Sequence, residues 1–167
     1  HTAAGNHMRQ LTQGDNQGKF NQRELDIILD EVLQNANVVT KKIDDIGFTT
    51  PYRNQANRAQ KTFANGLECD TIHKYQGREK KLMIMSTVLD NTYAGKAGLA
   101  FVDDSCKINV AVSRAQNQFI LITNSELFSQ AGKEVSDLIR YIEYNTLAEN
   151  LVKSEIVSVF DLLYKDY

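Results

Sequence analysis

Four short apolar runs alternate along this chain with stretches of helical periodicity: IGFTT at 46–50, LECDTI at 67–72, KLMIMSTV at 81–88 and QFILIT at 118–123. A strand with one wet face alternates apolar and polar residues, whereas a strand buried on both faces reads as a continuous apolar run. Strands of that kind separated by helices specify an α/β chain with three layers: a mostly parallel sheet with helices on both faces. In such sheets ligands bind beyond the carboxyl ends of the strands, on the loops that follow them.

The helical stretches are equally distinct. Asn21 and Glu24 have the spacing of an N-cap and its reciprocal N3 partner, a capping box. Leu25, Ile28, Leu29, Val32 and Leu33 then follow as one apolar stripe that ends at Gln34 to Asn37. Pro51 stops the first strand, and a second helix is expected over roughly 53–64, closing near Asn65 and Gly66. The segment 90–106 reads as a long loop, and INVAVSRAQ at 108–116 fits a strand or a helix by pattern. Two amphipathic helices are expected near 133–147 and 152–165. Residues 1–20, rich in Gly, Asn, Gln and Thr, read as loop or a partly ordered tail. The chain thus divides into a tail at 1–20, one domain at 21–148 and a closing helix at 149–167. The stripe of that helix (Ile156, Val159, Phe160, Leu163, Tyr164) packs on this domain or begins a further one.

A length of 167 residues suits one domain. No run approaches the ~20 apolar residues that cross a bilayer, and HTAAGNHMRQ lacks the apolar centre of a signal peptide. A cytoplasmic protein with no membrane partner is the expectation. Cys69 and Cys106 lie far apart and outside any CxxC pattern, which suggests two buried reduced thiols and no metal site. The net charge of −2 is unevenly spread: residues 51–118 hold ten Lys/Arg against six Asp/Glu, and 126–167 hold four against eight. A positive middle section can face phosphates, although on composition alone a solvated mixed surface accounts for it.

Three polar knots interrupt the apolar frame. In Thr50-Pro51-Tyr52-Arg53, proline fixes the turn out of the strand, Tyr52 offers a flat face, and Arg53 offers a planar fork suited to phosphate or carboxylate. In HKYQGRE (73–79), Gly77 permits a tight turn, Lys74 and Arg78 can meet phosphates, and Glu79 can accept from a sugar hydroxyl. In NVAVSRA (109–115), Arg114 is a lone cation among small and apolar neighbours. An unpaired buried charge is costly, so it is either tied to Asp103 or Asp104 in an internal salt bridge or held against an anionic ligand.

Together and in this order, GFTTPYRNQ, DTIHKYQGREKKLMIMSTV and INVAVSRAQNQFILITN resemble motifs IV, V and VI of superfamily 1 helicases, in the branch of the Upf-type and Dna-type enzymes. The resemblance spans about residues 44–125. It implies a RecA-like, P-loop NTPase-like second motor domain, with ATP in the cleft between two such domains and single-stranded DNA or RNA across their top. It implies that Arg114 is the arginine finger, that Arg53 also approaches the phosphates with Arg58 in reserve, and that Tyr52, Gln76, Gly77 and Glu79 line the nucleotide. Thr71, His73 and Lys74 would touch the nucleic-acid backbone. The chain contains no GxxxxGK[ST] loop and no Asp-Glu pair at a strand end. ATP and Mg²⁺ would therefore be held mainly by an N-terminal RecA-like domain of the same chain, and this fragment alone would be inactive. The alternative is a RecA-like module that binds nucleic acid or protein without catalysis.

Overall fold

A computed structural model describes residues 1–3, 5–14, 17–63, 66–75, 77–131, 133–145 and 152–154. At its centre four strands, β3 (Ile46–Thr50), β4 (Glu68–Thr71), β5 (Lys80–Ser86) and β6 (Ala115–Ile122), form one sheet in the order β4-β3-β5-β6. Every pairing in it is parallel. The registers Thr50↔Thr71 and Ser86↔Ile122 align the carboxyl ends, and Lys80↔Ala115 aligns amino ends on the other side.

Side-chain alternation along the strands divides the core in two. Ile46, Phe48, Leu82, Ile84 and Ile122 point to one face, where they meet Leu25, Ile28 and Val32 and also Ala59 and Phe63. Met85 and Leu121 point to the other, against Ile108, Ala111, Leu127, Phe128 and Val135. The first face is covered by α1 (Gln22–Ile27), which runs on as a π turn over Ile28–Val32, and by α3 (Arg53–Thr62). The second is covered by α6 (Ser105–Ser113), α7 (Ser125–Ala131) and α8 (Glu134–Asn145). This is the three-layer α/β architecture expected from the continuous apolar runs. A short helix α2 (Ala36–Val39) and a 3₁₀ turn (Ile43–Asp45) lead into β3.

Several expectations need correction. Residues 1–20 are not a tail: β1 (Met8–Leu11) and β2 (Gly18–Asn21) pair as an antiparallel hairpin. Thr2 bridges Thr123 and Lys153, so residues 152–154 run extended, not helical. The rest of the helix expected over 152–165, and the end of that expected over 133–147, lie outside the described residues. The segment 90–106 contains α4 (Tyr93–Lys96), α5 (Leu99–Val102) and the start of α6. The ambiguous 108–116 stretch resolves as the last turns of α6 followed at once by β6. Cys69 is half-buried and Cys106 exposed, because Cys106 falls off the buried stripe of Ile108 and Ala111 on α6.

The capping box forms only in half. Asn21 accepts the Glu24 amide through its side chain at 3.3 Å. The Glu24 carboxylate, however, does not return to the Asn21 amide, which donates instead to Gln55 Oε1 at 2.9 Å. Glu24 turns inward, where Ser86 Oγ and the Val88 amide donate to it.

Candidate nucleotide and nucleic-acid sites at the two ends of the sheet

At the carboxyl end of the sheet, Pro51 carries the chain out of β3 and sets Tyr52 and Arg53 at the start of α3. Tyr52 is half-buried, its ring centroid 5.3 Å from that of Phe101 and tilted by 44°. Burial pushes its phenol up to about 12. Arg53 is exposed and reaches sideways to β4, donating through Nη1 to Asp70 Oδ1 at 2.8 Å and through Nη2 to Thr71 Oγ1 at 3.2 Å. His73 and Lys74 lie exposed in the turns that follow β4. A shallow groove of about 520 Å³ runs between these residues and the 97–101 segment, with Lys19 from β2 at its rim.

The far wall of that groove depends on glycine. A Cβ on Gly98 would stand 2.7 Å from Tyr52 Oη, so only glycine lets α5 approach the tyrosine this closely. Phe101 is 44% exposed, and Lys107 Nζ sits 3.8 Å from its ring centroid while donating to its carbonyl at 2.7 Å. Lys19 Nζ donates to Ala94 O at 2.6 Å, tying the hairpin to α4. Cations beside aromatic faces and hydroxyls are the equipment of a single-strand groove.

The chain from 72 to 79 then returns from the carboxyl end to the amino end of the sheet. Tyr75 anchors this return: it is fully buried, and its hydroxyl donates to Glu68 O at 2.9 Å. Burial first, then the neighbouring Cys69 and Asp70, push that phenol well above its ordinary value. Gly77 has φ +85°, a left-handed conformation that glycine adopts without strain. Gln76 lies outside the described residues.

Glu79 and Arg114 both lie at the amino end, beside the paired residues Lys80 and Ala115. Glu79 is exposed and accepts Gln116 Nε2 at 3.1 Å. The Lys80 amide donates to Arg114 O at 2.9 Å, fixing the end of α6 beside the start of β5. Arg114 is half-buried, and its Nε lies 3.4 Å from Val110 O. Neither internal partner offered by the sequence is taken. Asp103 accepts the Lys133 and Val135 amides, and Asp104 caps α6 through the Lys107 amide. Among the described residues the Arg114 guanidinium has no ion-pair partner.

The expected site residues therefore fall into two groups at opposite ends of one sheet. Tyr52, Arg53, Thr71, His73 and Lys74 gather at the carboxyl end, and Gly77, Glu79 and Arg114 belong to the amino-end approach. Arg53 and Arg114 are not brought together within this domain. Arg58 is engaged elsewhere, stacked 3.6 Å over Phe20 and bonded through Nε to Asn54 Oδ1 at 3.2 Å. Burial lowers the pKa of its guanidinium. Sequence reasoning missed Phe101, Lys107, Lys19 and Asp70; of these, only Asp70 carried a signal, its two-residue spacing from Glu68 on one strand.

Among the described residues no group of three His, Cys, Asp or Glu side chains is placed to hold a metal ion. No helix among them is long and apolar enough to cross a membrane.

A family described as "AAA domain" matches residues 2–126. A probable helicase of Dictyostelium discoideum is 32% identical over 102 residues, covering 60% of this chain and 10% of its own length. Helicase sen1 of Schizosaccharomyces pombe is 29% identical over 143 residues, 75% of this chain and 8% of its own. Regulator of nonsense transcripts 1 of Dictyostelium discoideum is 29% identical over 140 residues, 72% of this chain and 10% of its own. The chain thus spans a tenth or less of the length of these relatives.

Proposed function

Since the chain belongs to this AAA domain family, as a RecA-like domain of the superfamily 1, Upf/Dna-type helicases, we propose that it is the second motor domain of an ATP-dependent nucleic-acid helicase or translocase. The observation that carries this reading is the state of Arg114. A half-buried guanidinium with no ion-pair partner among the described residues, separated by the length of α6 from Asp103 and Asp104 at its other end, is poised for an anion from outside the domain. At the carboxyl end of α6 it also sits where the helix dipole favours a cation.

The amino-end residues fit a nucleotide in part. Arg114 suits the terminal phosphates, and Glu79, exposed beside it, suits a sugar hydroxyl. Mg²⁺ and most of the nucleotide would be held by the neighbouring motor domain, because this sequence has no GxxxxGK[ST] loop. Bound ATP supplies a phosphoryl group whose transfer develops negative charge on its oxygens. The role of Arg114 is to meet that charge, its backbone fixed by the hydrogen bond that the Lys80 amide donates to its carbonyl. The carboxyl-end groove takes the single strand: Thr71 and Arg53 bind phosphate, while Tyr52 and Phe101 offer faces to bases. The return segment 72–79 joins the two, so that one loop senses both ligands.

The test is Arg114→Ala in the full-length protein. The expected outcome is a fall of ~10³-fold or more in ATP turnover, with nucleotide affinity and melting temperature little changed. Unchanged turnover with nucleotide still bound would remove Arg114 from the reaction. A wild-type protein with no nucleic-acid-stimulated ATPase would leave the non-catalytic binding module as the better account.

A further inference from the structure

Strand β4 carries a ladder of alternating charge along the edge of the sheet. Glu68 and Asp70 are two residues apart and so share a face. Arg53 Nη1 reaches Asp70 Oδ1 at 2.8 Å, and Asp70 Oδ2 lies 3.5 Å from Arg78 Nη2. Arg78 pairs in turn with Glu68 Oε1, and Glu68 Oε2 with Lys80 Nζ at 3.0 Å. The ladder therefore begins at the carboxyl-end groove and finishes at Lys80, whose amide holds the Arg114 carbonyl. Arg78 Nη2 also donates to Lys74 O at 2.5 Å, so the ladder braces the return loop across its width.

Exposed ion pairs contribute little to stability, so the ladder is better accounted for by what it aims. Asp70 is the better shielded of the two acids, its side chain 20% exposed against 32% for Glu68. Its Oδ1 also accepts the Thr71 amide at 2.8 Å, which fixes the carboxylate to the strand. Arg53 is thereby clamped against Thr71 Oγ1, and a guanidinium has five donors, more than this clamp uses.

We propose that Asp70 is a positioning residue: it holds Arg53 against Thr71 so that the remaining guanidinium donors meet a backbone phosphate of a single strand in the groove. The inference rests on the reading of that groove as a nucleic-acid track. It makes a prediction of unusual sign. Removing an acid next to a phosphate site would, by charge alone, tighten binding; removing the group that aims Arg53 weakens it.

The experiment is equilibrium binding of the full-length protein to fluorescent oligo-dT and oligo-U of equal length, at two salt concentrations. The variants are Asp70→Asn, Asp70→Glu, Arg53→Lys and the double variant Arg53→Lys/Asp70→Asn. Asp70→Asn and Arg53→Lys are each expected to weaken binding ~5- to 10-fold, because Lys keeps the charge and loses the fork. Asp70→Glu should recover part of the loss. The double variant should be no weaker than either single one, as for two residues acting through one contact. The salt slope should drop by ~0.7 on losing one phosphate contact. Asp70→Asn binding as tightly as wild type or tighter, at an unchanged melting temperature, overturns the proposal. So does wild-type affinity in Arg53→Lys, which decides the matter even if Asp70→Asn does not fold. Failure of the wild-type protein to bind either strand would instead sink the nucleic-acid reading.

Discussion

Glu24 accepts the backbone amide of Val88 at 2.9 Å although both residues are wholly buried. Val88 has φ +74°, a left-handed conformation that a β-branched residue adopts only when its surroundings impose it. The carboxyl group of Glu24 is the restraint. Held also by Ser86 Oγ, it fixes the turn that leaves β5 for the groove wall, with Asn21 Nδ2 bonded to Val88 O from the other side at 3.1 Å.

Burial pushes the Glu24 carboxyl up to about 8, against the pull of its hydrogen bonds from Ser86, Val88 and Thr87. The folded-state pKa is raised, so the stability contribution is full below the ordinary carboxylate pKa and is lost as pH rises through about 8. Between those limits the expected slope is about 1.4 kcal/mol per pH unit. Glu24→Gln removes the titration while retaining a side-chain oxygen for the Val88 amide. Urea midpoints measured from pH 5 to 9 should fall with pH in the wild type and run flatter in the variant. Parallel curves would show that Glu24 does not titrate in the folded protein.

Gly95 is the most tightly packed of the described glycines. A Cβ there would stand 2.1 Å from the Asp90 carbonyl oxygen. Asp90 is itself wholly buried and accepts the Met8 amide at 2.8 Å, so a shift of Asp90 loosens the β1–β2 hairpin as well. Gly95→Ala should cost about 3 kcal/mol, at the upper end for overpacking, read as a lowered urea midpoint. Faster amide exchange at Met8 in the same variant would locate the damage.

How much of this was legible in the sequence follows from what each feature depends on. The two central strands, β3 and β5, and α3 were readable because burial on two faces and a proline exit are written locally. The hairpin at 8–21 was not, since its strands are four residues each and mostly polar. Its anchors, Met8 on Asp90 and Asn21 on Gln55, are long-range bonds. Glu24 misled because the capping-box pattern is a statement about neighbours, whereas its carboxylate answers to Ser86 and Val88 more than sixty residues away. The motif residues were found in order, but their order does not show that Arg53 and Arg114 occupy opposite ends of the sheet. That follows only from the shared direction of the strands.

The two cysteines should differ in reactivity. Burial and the adjacent Asp70 push the Cys69 thiol up to about 12, and its Sγ lies 3.5 Å from Leu67 O. Cys106 is exposed near the start of α6. Reaction needs the thiolate and access to it. Under native conditions a disulfide reagent at pH 8 should therefore titrate Cys106 quickly and Cys69 only on unfolding. Cys106→Ser should abolish the fast phase. Two fast thiols in the wild type would contradict the burial of Cys69.

Gln55 joins three elements that sequence spacing alone does not connect. It is wholly buried, accepting the Asn21 amide at 2.9 Å and donating to Asn21 O at 3.1 Å and Ser86 Oγ at 3.0 Å. Thus α3, which begins with Arg53, is fixed to the hairpin and to β5 through one amide. Gln55→Ala leaves the Asn21 amide and carbonyl buried without these partners, at about 1–3 kcal/mol for each group. A total near 3 kcal/mol is expected by urea denaturation. Gln55→Glu is the sharper probe: its carboxylate can still accept the Asn21 amide but cannot donate to Asn21 O. If the network orients α3, Gln55→Glu should destabilise the fold and also weaken single-strand binding, measured well below its urea midpoint. A variant that loses stability and binds normally would separate the network from the groove.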